Sequence, residues 1–195
     1  LWNGNGNEPA STAMGINALN SVTTGEDNTA MGISTLNILT TGSDNTCFGA
    51  YAGTSNTASG TTAVGAFSLT TNTADENTGI GYRALKVNTT GANNVAVGAS
   101  ALKSSISGSH NTAIGADTLT ASTTATYNDH NVAMGRNTLY ANTDGGENVA
   151  IGAFANEDNT TAHYNIAIGH RAMRNKTGDN NIMIGRDTGA NTSAT

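Results

Sequence analysis

A five-residue phrase, seen cleanly at Asn111-Thr112-Ala113-Ile114-Gly115, recurs along nearly the whole chain and limits its fold more than any other feature. Taking the closing glycine as the marker, copies end at Gly15, Gly32, Gly49, Gly65, Gly81, Gly98, Gly115, Gly135, Gly152, Gly169 and Gly185. The spacings are 17, 17, 16, 16, 17, 17, 20, 17, 17 and 16 residues. A fixed period means a solenoid, in which each unit buries its apolar side only by stacking on its neighbours. Units built from helix pairs need more than about 30 residues, so each unit here has to be a coil of extended chain and turns.

Composition agrees with a coil rather than a globule. Hydrophobic residues make up 36%, aromatic residues 5% and charged residues 11%, too little for a large core and too little charge for a disordered chain. The balance is Gly, Asn, Thr, Ala and Ser, and the single proline, Pro9, precedes the first repeat, so nothing in the repeats blocks a strand ladder. The net charge of −6 is uneven: the first 82 residues hold six acids and no Lys or Arg, and the rest holds eight of each. A nucleic-acid partner needs a basic stripe and is excluded on this pattern. Cys47 is the only cysteine, so no intrachain disulfide can form; it occupies an alanine slot and reads as a small buried hydrophobe.

Aligned, the copies give Asn first in nine of eleven, with Ser11 and Thr61 as exceptions, then Thr or another β-branched residue, a small residue, an apolar one and Gly. Side chains alternate along a strand, so positions two and four share one face and positions three and five the other. Position four is Met14, Met31, Phe48, Val64, Ile80, Val97, Ile114, Met134, Ile151, Ile168 and Ile184. This column is expected to be core, with the Ala and Gly of positions three and five forming a bare outer surface that a neighbour covers. A second core column follows four residues after each glycine: Leu19, Leu36, Leu69, Leu85, Leu102, Leu119, Leu139 and Met173, broken at Gly53, Asn156 and Gly189. A polar return then reads Thr-Thr-Gly or similar, its glycine expected at positive φ, with Asp27, Asp44, Asn93 or Asn180 supporting the turn through its side chain. Each coil is thus expected to hold two short strands and two tight corners. Parallel stacking about 4.8 Å apart makes eleven coils a rod on the order of 50 Å long, with Asn at position one forming an amide ladder.

The expected organisation is a cap or the end of a preceding segment over residues 1–10, the repeat domain over 11–189 and a tail over 190–195. The absence of an initiator Met and of a signal peptide suggests a piece of something longer. The phrase Asn-Thr-Ala-Ile-Gly, with Gly-Tyr-Arg-Ala-Leu at 81–85 and Asn-Thr-Thr-Gly at 88–91, resembles the head repeats of trimeric autotransporter adhesins, and is similar to repeats of phage tail fibres. The resemblance spans roughly residues 11–189. It implies an all-β parallel solenoid, a left-handed β-roll assembled as a homotrimer and displayed outside a cell or on a virion. It also implies a non-enzymatic attachment module that binds a host cell-surface glycan or protein receptor. No membrane insertion is expected of this segment, since it lacks an apolar run long enough to span a bilayer. A purely architectural filament subunit and a glycan-degrading tailspike are the other readings, the last requiring paired carboxylates in one groove.

The column two residues after the glycine runs Asn17, Ser34, Tyr51, Phe67, Arg83, Ser100, Asp117, Asn137, Phe154, Arg171 and Asp187, variety that implies exposure. Tyr51, Phe67 and Arg83 are expected to stack on adjacent coils as a platform for a sugar ring or another chain. The one long return, 119–131, contributes Tyr127 and Asp129 as further receptor-contact candidates. His110 and His130, just before position one in successive copies, are expected to stack about 4.8 Å apart, with Glu147 next in the column as a weak metal-binding candidate. Zinc-type spacings, calcium nonapeptides, EF-hand loops and a Gly-x-Ser-x-Gly elbow do not occur. Nothing calls for a cofactor. A Thr-rich ice-binding surface is disfavoured, because the Thr column shares its face with the apolar one.

Overall fold

The computed structural model describes residues 11–121, 128–176 and 178–189. Its strands are β1 (Thr12–Met14), β2 (Thr29–Met31), β3 (Thr46–Phe48), β4 (Thr62–Val64), β5 (Thr78–Ile80), β6 (Val95–Val97), β7 (Thr112–Ile114), β8 (Val132–Met134), β9 (Val149–Ile151), β10 (Ile166–Ile168) and β11 (Ile182–Ile184). They form one parallel sheet in sequence order. Among the described residues there is no helix, and hence none long enough to cross a membrane. The chain is an all-β parallel solenoid of about ten turns. The regions 1–10, 190–195 and Tyr127 lie outside the described residues.

Register follows the phrase without slippage. Even across the 20-residue spacing, Thr112 pairs with Val132, Ala113 with Ala133 and Ile114 with Met134, so the extra residues leave the ladder untouched. Among the described residues the second expected strand does not form. Each coil has one three-residue strand, and the opposite side is a run of turns. Residues two and four after the glycine are left-handed there, as at Ser34 (φ 52°) and Leu36 (φ 50°), a conformation incompatible with extended chain. A side chain in this region costs about 1 to 2 kcal/mol. Backbone hydrogen bonds between coils offset it: Ser34 N–H donates to the Ile16 carbonyl at 2.8 Å and Leu36 N–H to the Ala52 carbonyl at 3.1 Å.

The Thr-Thr-Gly glycines are not at positive φ; that conformation falls on Asp27, Asp44, Asn93 and Asn180 themselves, whose side-chain types tolerate it. Gly91 is required for a different reason: a Cβ there would collide with the Gly108 carbonyl of the next coil. These glycines let successive corners touch.

The two faces of the strand are the reverse of the expectation. Ala30, Ala63, Ala96, Ala113, Ala133, Ala150 and Ala167 of position three are buried, while the side chains of position four point outward. Ile80, Ile114, Met134 and Ile151 are exposed, Ile184 is 66% exposed, and Val97 and Ile168 are half-buried, so this column is not the core of the chain. The reason is width. One coil of 16 or 17 residues leaves room between its sides for one large side chain, and Leu85, Leu102, Leu119 and Leu139 occupy it, fully buried as expected. Only a small residue fits opposite, because interiors are close-packed and overfilling is destabilising.

The rest of the interior is polar and mostly hydrogen-bonded, Asn156 in a broken slot of the leucine column being an exception with neither amide atom paired. The position-one ladder is continuous over long stretches: Asn111 Nδ2 donates to the Asn128 carbonyl at 2.8 Å, and its Oδ1 accepts the Asn131 N–H at 2.9 Å and the Asn131 Nδ2 at 3.1 Å. A second ladder, seven residues after the glycine, was not anticipated. Asn72 Nδ2 donates to Asn56 Oδ1 and Asn88 Nδ2 to Asn72 Oδ1, both at 2.8 Å, and Asn159 Nδ2 donates to Asn142 Oδ1 at 3.0 Å. All these amides are buried. Buried polar groups carry little penalty once satisfied, so the ladders fill space that an apolar core would otherwise need.

Where a glycine breaks the leucine column, the alanine column compensates. Gly53 stands opposite Cys47, whose Sγ would lie 3.1 Å from a Cβ added to Gly53. Gly189 likewise faces Met183, which takes the alanine slot of β11 and whose Sδ fills the space a Gly189 side chain would need. The coil conserves volume, not residue type. Burial pushes the Cys47 thiol up to about 12.

Candidate functional site

The corner after each strand presents two successive side chains on every coil. Its stacking is fixed by the backbone: Tyr51 N–H donates to the Ile33 carbonyl at 2.9 Å, Phe67 N–H to Ala50 at 3.0 Å and Arg83 N–H to Ala66 at 3.1 Å. With φ near 60° at all three residues, equivalent side chains leave successive coils in parallel. The Tyr51 and Phe67 rings therefore stack face to face, centroids 5.1 Å apart and only 6° from parallel. Phe67 is half-buried and Tyr51 exposed; the next column member towards the N-terminus, Ser34, is too small to cover the outer face of the tyrosine.

Arg83 does not continue this stack. Its guanidinium lies 4.7 Å from the centroid of Tyr82, and Tyr82 meets Phe67 edge-on at 6.2 Å. The platform is thus Tyr51, Phe67 and Tyr82 with Arg83 at its margin. Tyr82 is one residue after the glycine, a column occupied elsewhere by Ile16, Ala50, Ala66 and Ala99. The signal for it was the lone Phe, Tyr or Trp of that column, falling one coil after Phe67 and two after Tyr51 of the next.

The corner before each strand carries the other candidates. His110 and His130 stack as expected, centroids 4.8 Å apart and 17° from parallel. Among the described residues no group of three or more His, Cys, Asp or Glu side chains converges as a metal site, and Glu147 is not brought into one with the two imidazoles. Asp129, His130, Gly146, Glu147, His163 and Tyr164 line a groove of about 440 Å³. Asp129 is partly committed to structure there, since its Oδ1 accepts the Ser109 N–H at 2.6 Å.

That bond belongs to a column not read from the sequence. Ser43 Oγ accepts the Glu26 N–H, Ser59 Oγ the Ser43 N–H, Asp75 the Ser59 N–H and Asp179 the His163 N–H, each tying one coil to its neighbour at 2.8 to 3.1 Å. At His163 the acceptor is an imidazole: Gly146 N–H donates to its Nδ1 at 2.9 Å, which requires that nitrogen to be unprotonated. The groove therefore offers carboxylates, imidazoles and the exposed Tyr164 ring as hydrogen-bonding groups. No protein-family model, curated protein or solved structure matches this chain.

Proposed function

We propose that this chain is a structural and attachment module of an extracellular fibre, a phage tail fibre or an adhesin head, that assembles as a homotrimer and binds a cell-surface glycan or protein receptor without catalysis. The observation that carries the reading is the outer sheet face. Position four puts Met14, Met31, Ile80, Ile114, Met134, Ile151 and Ile184 in one exposed row from β1 to β11, and position two adds Val95 and Ile182. A continuous apolar surface of this kind marks an interaction site. Its length, ten coil steps or on the order of 50 Å, suits a partner of the same repeat. Assembly through it buries the β-branched side chains and leaves the corners in solvent, where the Tyr51, Phe67, Tyr82 and Arg83 platform contacts the receptor.

Sedimentation equilibrium of the intact chain tests the assembly, with a single trimeric species expected; a monomer at micromolar concentration would sink the trimer. Binding on a glycan and cell-surface protein panel tests attachment. Tyr51→Ala and Phe67→Ala are expected to lose receptor signal while remaining trimeric. An intact trimer that binds nothing on any cell surface would instead make the chain an architectural filament subunit.

A further inference from the structure

Four coils further along the rod from Arg83, the same corner gathers different chemistry. Phe154 is half-buried, and around its ring lie the guanidiniums of Arg136, Arg171 and Arg174, at 5.7, 5.9 and 5.8 Å from the centroid, with His170 edge-on at 5.9 Å. The backbone sets this cluster as it sets the other: Phe154 N–H donates to the Arg136 carbonyl and Arg171 N–H to the Ala153 carbonyl, both at 2.9 Å. Arg136, Phe154 and Arg171 therefore occupy three successive coils, each about 4.8 Å from the next.

Two of the three cations are not neutralised in place. Arg174 Nε is held by Glu157 at 2.7 Å, which fixes that guanidinium against the ring. Arg136 and Arg171 are exposed and form no ion pair among the described residues. This happens in a chain of net charge −6. The acidic excess lies in residues 1–82, whereas this corner sets two unpaired guanidiniums beside a third, an arrangement on which a polyanion can settle. Guanidinium forks donate to carboxylate and sulfate oxygens in bidentate geometry, and an aromatic ring gives the apolar face of a sugar a surface to rest on.

We infer that the corner around Phe154 is a binding site for an acidic saccharide, a sugar bearing carboxylate or sulfate groups. Arg136 and Arg171 take the anionic groups, Phe154 takes the ring, and the Glu157-held Arg174 keeps the ring and its cations in register. The anion site stands on these residues alone; that its ligand is a saccharide rests on the attachment reading above. The site is separate from the Tyr51 platform, which has one arginine and no comparable cluster.

Titration of the full chain with sulfated dextran and with polygalacturonate, against unmodified dextran, tests the inference. Both acidic polymers are expected to bind in low salt, with affinity falling as salt is raised, and unmodified dextran is not. The Arg136→Gln/Arg171→Gln double variant should weaken binding at least about tenfold, in keeping with the loss of charge-assisted hydrogen bonds. Lys103→Gln removes a positive charge elsewhere and should change nothing, and Tyr51→Ala should bind the acidic polymers like the parent. Equal loss in Lys103→Gln, or no binding of either acidic polymer by the parent, overturns the site. Duplex DNA bound as tightly through the same two arginines overturns the saccharide. Loss of acidic-polymer binding in Tyr51→Ala would mean that the two patches are one, and overturns their separation.

Discussion

Ala113 and Ile114 are neighbours on one strand and stand on opposite sides of the sheet, the alanine wholly buried and the isoleucine 36% exposed. By apolarity the isoleucine has the stronger claim to the interior. That it lies outside shows that the inside of this solenoid selects for size first: a thin layer of Ala, one Leu per coil and two columns of Asn amides. The outer side, freed from that limit, carries large β-branched and Met side chains in an exposed or half-buried row.

The comparison breaks most severely at the amides. Asn111→Leu keeps the branched shape but deprives the Asn131 N–H and the Asn128 carbonyl of their partners inside the coil. Each buried orphan costs about 1 to 3 kcal/mol, so a loss of about 2 to 6 kcal/mol is expected in urea unfolding of the whole chain. A change below about 1 kcal/mol would mean that the ladder is ornamental and that packing alone sets the inner side.

The next largest effect distinguishes the faces directly. Ala113→Leu drives three further carbons into a closed layer and should destabilise the chain by about 1 to 3 kcal/mol or more. Ile114→Ser, one residue on, should leave the circular-dichroism spectrum of a dilute sample unchanged and weaken the oligomer, read as a rise in the concentration at which it dissociates. If Ile114→Ser unfolded the chain and Ala113→Leu did not, the faces would have to be exchanged.

The sequence already contained the alternation, the coil period, the leucine column and the asparagine ladder. It also placed Tyr51 on Phe67 and His110 on His130. The assignment of faces went the other way because apolarity was weighed above size. The better clue was uniformity: the third position is nearly always Ala, with Cys47, Gly79 and Met183 as departures, whereas the second drifts between Thr, Val and Ile as an outward position can. The left-handed backbone at Leu36, Leu85 or Phe67 is not announced by residue type. Those residue types do not favour positive φ; hydrogen bonds to the adjoining coils hold them there, together with turns closed inside the coil such as Ser68 N–H to the Gly65 carbonyl at 3.2 Å. The arginines around Phe154 were each visible, but their convergence depends on joining one column at Arg136 to the next at Phe154 and Arg171, which needs the corner geometry.

The finest test of the inner side is the exchange of volume between Cys47 and Gly53. If the coil conserves volume, each single replacement costs stability and the pair recovers it. Cys47→Ala leaves a hole beside Gly53 and should cost about 1 kcal/mol. Gly53→Leu alone crowds Cys47 Sγ and Leu36 Cδ2 and should cost about 1 to 3 kcal/mol. The double variant rebuilds the ordinary Ala and Leu coil, at a φ of 57° close to the 50° of Leu36 and 45° of Leu69, so a favourable coupling of about 1 kcal/mol or more is expected. Alkaline pH separates the thiol from its volume. Below pH 9.0, its ordinary pKa, Cys47 is protonated folded or unfolded and its contribution is complete; between there and about 12 the unfolded chain releases the proton while the folded chain keeps it. The advantage of the parent over Cys47→Ala should then shrink by about 1.4 kcal/mol per pH unit and change sign near pH 10. A difference between the two that stays flat from pH 8 to 11 would show that Cys47 reaches solvent, and that the inner layer is open where the leucine column is broken.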